Sequence, residues 1–350
     1  MMRYGISVIV PFKDAQETIQ KCMASIAKQK FENFEVILVA DNSTDNSMQI
    51  VKKFIENNNR FILIENKGVT HGVSTARNLG IKHATQDYVT FIDSDDHVEK
   101  NFLTNLVNML NQNSDSNQVF PISGVSNELK EAMSEVKNFG QTDTILQFNR
   151  KNAILQLLRN DSFEGYVFNK LFKMSLIKKN NLMFNSSISF SEDLLFCFQY
   201  MINLDENTKV CYSLQKTYHY VNNPQSVMNS SRIGGAFDKR EFSLVKAFDE
   251  MLDIAKYYGV EPVILQSLKV RKVWACSLIL RKLHYFKFFE HKIWFEYKQG
   301  AEVVQKYIFQ NVWLFLRSSM YGLKDKLILS IDLIFPRLFV KLWKKQHRGA

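Results

Sequence analysis

The sequence predicts an α/β fold, a mostly parallel sheet with helices on both faces, followed by an α-helical C-terminal region. Three observations carry this. From residue 7 to 93, short apolar runs alternate with segments whose apolar residues recur at helical spacing, the β-α-β order of a parallel sheet. After about residue 235 the strand signals fade and helical periodicity dominates. Between them, the run Tyr88 to Val98, YVTFIDSDDHV, delivers Asp93, Asp95 and Asp96 to the carboxyl end of an apolar strand, the edge at which open α/β sheets bind ligands.

In chain order, Ser7–Val10 is a short apolar strand closed by Pro11, and Thr18–Lys28 is a helix carrying Ile19, Met23, Ile26 and Ala27 on one side. Phe34–Ala40 is a second buried strand, and the polar turn Asp41–Asn46 leads into a helix over Met48–Ile55. Phe61–Glu65 is a third strand, Val73–Ala84 a helix, and Tyr88–Asp93 the strand that carries the acids. Asn111–Asn117 is a polar linker, Val119–Val125 a further strand, and Gln147–Arg159 a helix. An apolar helix follows over Leu194–Met201. Helices over Phe242–Tyr258, Pro262–Phe289, Ile293–Phe315 and Leu323–Lys345 complete the chain, with a domain boundary between residues 225 and 240. The expected organisation is an α/β domain over 1–230, in two parts, 1–110 and 111–230, and a helical region over 231–350.

A hydrophobic content of 46% and a charged content of 23% are those of a folded globular protein. The net charge of +10 is concentrated in the last quarter, so it concerns a surface there rather than the fold. Cys22, Cys197, Cys211 and Cys276 are far apart and form no Cys-x-x-Cys pair, which argues against a zinc site or a disulfide framework and for reduced thiols in a cytoplasmic protein. The start of the chain suits a first strand better than an export signal. Leu327–Phe335, the longest apolar candidate, is too short to span a bilayer and contains Asp332.

Four short motifs carry chemistry. Asp41-Asn-Ser-Thr-Asp45 ends the second strand, where an aspartate can accept a hydrogen bond from a nucleobase N–H; capping of the next helix by Asp45 or Asn46 is the plainer alternative. GVTHGVSTARNLG, residues 68–80, has glycines that permit close backbone approach and opens a helix whose start attracts phosphate. It carries Arg77 and Asn78 and lacks the Gly-Lys-Ser/Thr ending of a Walker A loop. Asp93-Ser94-Asp95-Asp96 places acids one apart in a short turn, where they can share a hard divalent cation with a nucleoside diphosphate; an acidic turn at a strand end is the alternative. Ser191-Glu192-Asp193 stands before an apolar helix, where capping and dipole compensation are the ordinary role.

As an ordered set, SVIVPFKD (7–14), ADNSTD (40–45), GVTHGVSTARN (68–78), FIDSDD (91–96) and SEDLLF (191–196) resembles the family 2 glycosyltransferases of the Rossmann-like GT-A fold. The bacterial branch that builds capsule, exopolysaccharide or teichoic acid decoration is the nearer likeness, through FNKLFKMSLIKKNNLMF (168–184) as well. The resemblance covers roughly residues 5–228. It implies an inverting, metal-dependent transfer from a nucleotide sugar, UDP-linked, to a glycan or lipid-linked acceptor. It implies Pro11 in the nucleotide-facing first loop, Asp41 at the uracil base, Asp93 near the ribose with Ser94 beside it, and Asp95 as direct ligand of Mn²⁺ or Mg²⁺. Asp193 falls on the catalytic base, with Glu192 and Asp96 as its acidic company, and Arg77 as an aid to the leaving group. Tyr218-His219-Tyr220 with Ser226 resembles a Tyr-x-Tyr-Arg segment in which Val221 replaces arginine; His219 is then a candidate third metal ligand, against a plain packed histidine. Lys13, Asp14 and Ala40 depart from the pattern and leave base stacking and donor preference open.

The C-terminal stretch is basic and aromatic. Arg337, Lys341, Lys344, Lys345 and Arg348 fall at spacings that a helix gathers on one stripe, among Leu338, Phe339, Leu342 and Trp343, with Pro336 suited to its first turn. Two readings stand: a helix lying on the anionic inner face of the cell membrane, or a bundle or oligomer interface with a solvated basic side. Nucleic-acid binding fits poorly, for lack of a motif. Two other functional classes stay open, a nucleotidyl- or phosphotransferase and a binding-only or scaffolding member of an assembly complex.

Overall fold

The computed structural model describes residues 4–111, 118–127, 144–159, 163–222, 237–289 and 291–346, with side chains to Lys341. All but Asn111 of the expected linker Asn111–Asn117, residues 225–236 of the expected boundary region 225–240, Ser226 and Arg348 lie outside them, as do the side chains of Leu342, Trp343, Lys344 and Lys345. The chain separates into two compact units, residues 1–187 with 192–223, and residues 188–191 with 224–350.

In the first unit, β1 (Ile6–Phe12), β2 (Phe34–Ala40), β3 (Phe61–Glu65) and β4 (Tyr88–Phe91) form a parallel sheet in the order β3-β2-β1-β4. A two-residue strand, here β8 (Phe172–Lys173), adds antiparallel to β4. Every residue of β1 is buried, as a central parallel strand covered on both faces requires. Ile6, Val8 and Val10 share one core with α1 (Ile19–Ala27) and α4 (Phe102–Asn111). On the other face α3 (Val73–His83) comes close enough that a Cβ on Gly80 would stand 2.4 Å from Ile9 Cγ2, so glycine is needed there for the approach. α2 (Ser47–Ile55) links β2 to β3.

A second sheet has the order β5-β9-β6, built from β5 (His97–Val98), β6 (Val119–Asn127) and β9 (Lys209–Tyr220), with β7 (Ile145–Asn149) also paired to β9. α5 (Arg150–Leu157), α6 (Met174–Lys179) and α7 (Glu192–Ile202) complete the unit. Phe91, Phe172, Phe184 and Phe196 meet as a buried aromatic cluster, with Phe184 stacked on Phe196 at 4.1 Å. This cluster locks the first half of α7 against the carboxyl end of β4.

The structure corrects the sequence reading in three places. Gln147–Asn149 is strand, paired with Lys209–Cys211, and the Asn149 side chain accepts from the Asn152 N–H at 2.8 Å, so the helix begins only at Arg150. β9 was not legible because its register is broken opposite Gly124 and polar Ser213, Gln215 and Lys216 interrupt its alternation. The last helix is divided at Phe335 (φ −129°, ψ 59°), since the residue before Pro336 is driven from the α region.

The second unit is helical: α8 (Ser243–Tyr257), α9 (Pro262–Phe289), α10 (His291–Arg317), α11 (Leu323–Ile334) and α12 (Pro336–Gln346). Its core draws Val273, Leu280 and Leu283 from α9, Val304 and Ile308 from α10, and Leu329 from α11. Among the described residues no helix is long and apolar enough to cross a membrane.

Phe196→Ala should cost about 3–5 kcal/mol, the usual range for deleting a buried phenyl group. Urea unfolding checks this; a loss below about 1 kcal/mol would mean that the cluster is not what seats α7.

Candidate active site

Asp41 stands just beyond β2 and is 4% exposed. Its Oδ1 accepts from Asn66 Nδ2 at 2.7 Å and faces His71 Nδ1 at 3.1 Å, while Oδ2 accepts from the Gly72 N–H at 2.6 Å. Gly72 has φ +115°, which only glycine adopts without strain, and there the loop turns into α3. The aspartate expected to meet a nucleobase thus also closes the glycine loop. Asp45 accepts from the N–H groups of Ser47 and Gln16, each at 2.9 Å, so the capping role at α2 belongs to Asp45, while Asn46 makes no side-chain cap bond. Pro11 is not in a loop: it lies inside β1, buried and in register with Val39.

α3 places Arg77 and Asn78 side by side. The Asn78 amide donates to the Phe184 carbonyl and accepts from its N–H, both at 2.8 Å, which holds the Phe184 ring 5.4 Å from the Arg77 guanidinium. Arg77 is 3% exposed. It donates through one terminal nitrogen to Asp93 Oδ1 at 3.0 Å and through the other to Asp193 Oδ1, with Glu192 Oε1 at 3.6 Å. Its fork therefore unites the turn after β4 with the first turn of α7, two segments a hundred residues apart in sequence. The structure places Arg77 among carboxylates.

The turn after β4 is held from β9. Tyr218, fully buried, accepts from the Asp93 N–H at 3.2 Å and donates to Asp96 Oδ2 at 2.6 Å; the Val221 N–H donates to Asp96 Oδ1 at 2.8 Å. Burial pushes the Asp96 carboxyl up to about 8, with the nearby charge of Asp93 adding to it. Asp93, Ser94 and Asp95 remain half-buried. His219, next to Tyr218 in the strand, points its ring to the other side of β9. There it lies 4.7 Å from the His97 ring, with Nε2 2.8 Å from Glu99 and Nδ1 2.8 Å from Ser126, so both ring nitrogens are engaged.

Glu192 and Asp193 are the first two residues of α7, after Ser191 at φ +65°. Burial pushes Glu192 up to about 8, with Asp193 adding and Arg77 opposing. Burial also raises Asp193, while Arg77, the Val167 N–H and Lys170 pull it back. Lys170 is wholly buried and donates to the carbonyls of Glu164 and Tyr166 and to Asn169 Oδ1. Sequence reasoning named Tyr218 and Lys170 only inside motifs and gave neither a role of its own. Their signals were an aromatic residue beside the histidine and a lysine inside the apolar run FNKLF.

Five acidic side chains, Asp93, Asp95, Asp96, Glu192 and Asp193, gather about the Arg77 guanidinium, an oxygen-rich set of the kind that suits a hard divalent cation. Among the described residues no three His, Cys, Asp or Glu side chains converge as metal ligands. Two hard oxygen ligands completed by substrate phosphates and water is the usual manner of Mg²⁺ and Mn²⁺, and the turn at Asp93 and Asp95 fits it.

The chain matches the model of glycosyl transferase family 2 over residues 7–180. Glycosyltransferase GlyA of Streptococcus pneumoniae is 41% identical over 101 residues, 29% of this chain and only 14% of GlyA, so the chain spans a small part of that relative. Glycosyltransferase GlyG of the same organism is 31% identical over 216 residues, 55% of this chain and 70% of GlyG. The poly(ribitol-phosphate) β-N-acetylglucosaminyltransferase TarS of Staphylococcus aureus is 28% identical over 63% of this chain and 35% of TarS. The crystal structure of TarS residues 1–349 with UDP-GlcNAc superposes at a TM-score of 0.65 and 19% identity over 99% of this chain and 93% of that one, which shows a shared GT-A fold.

Folded Glu192 and Asp96 keep their protons to about pH 8 and release them near 4 when unfolded. The folded state then binds more protons between those values, so stability falls as pH rises through the window. In EDTA-treated protein the urea midpoint should fall from pH 5 to pH 8, and Glu192→Gln should flatten the slope; a flat wild-type profile would mean both groups ionise normally. Arg77→Leu should destabilise by about 3–5 kcal/mol at pH 8, because it strands buried carboxylates, and by less at pH 5, where they take up protons. An equal loss at both pH values would show that packing, not charge, is what Arg77 supplies.

Proposed function

The chain belongs to glycosyl transferase family 2, and we propose that it is an inverting, metal-dependent glycosyltransferase moving a sugar from a UDP donor to a hydroxyl of a cell-surface glycan or wall polymer. One observation carries the reading: Asp193 is held at the start of α7 by Arg77, which also grips Asp93 at the turn after β4. A base for the acceptor and a turn for the donor thus share one guanidinium.

Asp193 accepts the acceptor hydroxyl proton as that oxygen forms its bond to the sugar C1. The bond from C1 to the diphosphate breaks on the opposite side, and UDP leaves with the electron pair. A placed general base contributes about 10²–10⁴-fold. Burial raises the Asp193 carboxyl above the ordinary carboxylate range, and the Arg77 guanidinium opposes that by favouring the ionised form that can take a proton. Asp93 and Asp95 would hold Mn²⁺ or Mg²⁺, which when bound neutralises the charge growing on the leaving diphosphate. Asp41, with the loop from Asn66 to Gly72, walls the base end of the donor site.

TarS, solved with UDP-GlcNAc, supports a UDP donor, and the poly(ribitol-phosphate) in its name supports a wall polymer. Four buried, unpaired cysteines agree with a reducing compartment, which for a nucleotide-sugar enzyme is the cytoplasm.

The defining experiment quantifies nucleoside diphosphate released from a panel of UDP-, GDP- and dTDP-sugars with Mn²⁺, and with EDTA as control. Metal-dependent release from one UDP-sugar is expected; release confined to GDP- or dTDP-sugars would overturn the donor assignment. Asp193→Asn should lower transfer by about 10²-fold or more while UDP still binds, and near-normal turnover would remove Asp193 as base. Asp95→Ala should weaken UDP binding in Mn²⁺ but not in EDTA, and unchanged affinity in Mn²⁺ would remove its metal role.

A further inference from the structure

α11 is amphipathic in the reverse sense. At about 100° per residue, Leu323, Leu327, Ile331 and Ile334 lie within an arc of about 80°. All four are exposed, by 80, 61, 36 and 67%. The opposite side carries Leu329 and Asp332, both wholly buried. Asp332 Oδ1 lies 3.1 Å from His284 Nδ1 and Oδ2 lies 3.8 Å from Arg281 Nε, both partners buried on α9. A buried carboxylate between two basic side chains is costly to withdraw, so it fixes the rotation of the helix. The acid is held inside, and the apolar side is thereby turned outward.

The exposed charge beside this stripe has one sign. Lys324, exposed, flanks it on one side and Lys326, half-buried, on the other, and Arg337 and Lys341 are exposed on α12 beside Leu338, which is 50% exposed. The carboxylates of α11 are Asp325, half-buried, and the inward Asp332, and α12 has none. An apolar stripe of this length on a water-facing helix calls for a covering surface. A second copy across a two-fold axis would set cationic flank against cationic flank. An anionic bilayer offers both an apolar interior for the leucines and isoleucines and opposite charge for the flanks.

We propose that α11 and the start of α12 form a membrane-docking face, which takes an anionic lipid surface with Leu323, Leu327, Ile331 and Ile334 at the acyl boundary and Lys324, Arg337 and Lys341 at the headgroups. The sequence pattern pointed to the basic stripe of the last helix; the structure moves the apolar part of the face one helix earlier, onto the segment that Asp332 had seemed to disqualify. The face docks in the interfacial plane and does not span. It does not depend on which sugar is transferred.

The test is co-sedimentation of the full chain with vesicles of phosphatidylcholine alone and of phosphatidylcholine mixed with phosphatidylglycerol, at low and high salt. Partition into the mixed vesicles is expected, weakened by salt. Leu327→Ser with Ile334→Ser should reduce it by roughly tenfold or more, and Lys324→Gln with Arg337→Gln and Lys341→Gln by about a hundredfold. Circular dichroism should show both variants folded, since every altered side chain is exposed. Absence of partition would overturn the proposal, as would partition that both folded variants retain. Self-association lost in the Leu327 and Ile334 variant, without vesicle binding by the parent, would give the face to a second copy.

Discussion

Arg77 is a guanidinium with almost no access to water, and its charge is balanced by carboxylates from two other segments. Neither side of this arrangement is stable alone. A buried cation without partners, or buried carboxylates without a cation, would carry several kcal/mol of desolvation. The glycine loop that starts α3, the turn after β4 and the first turn of α7 are therefore one electrostatic unit. The aromatic cluster under α7 and the reciprocal Asn78–Phe184 bonds supply the rigid frame that keeps those charges in register.

The same arrangement separates two kinds of carboxylate. Asp193 touches the guanidinium and has backbone support from Val167, which favours ionisation. Asp96 has a phenol and a backbone N–H as partners and no cation in contact, and it holds its proton to about 8. Burial raises both acids, and of the two only Asp193 has a cation in contact that opposes it.

Much of this was legible in the sequence and some was not, for physical reasons. The four parallel strands were readable because each is a continuous apolar run bounded by polar turns, the pattern that burial on both faces imposes. Asp41, Asp93 and Asp95 were singled out because carboxylates at strand ends are local signals, and Asp193, locally an ordinary capping residue, only through the resemblance. The link among them was not, because the bridge is made by Arg77 across long sequence separation and no local pattern records it. β9 was hidden by its broken alternation. The outward side of α11 was hidden because the sequence does not show that Asp332 turns inward to His284 and Arg281.

The Tyr218 hydroxyl of β9 engages the turn after β4 twice, accepting from the Asp93 N–H while donating to the Asp96 carboxyl. β9 is also the strand to which β5, β6 and β7 are all paired. One phenol oxygen thus ties the turn after β4 to the strand on which the second sheet is built, so removing it would loosen the turn's backbone and the Asp96 side chain together.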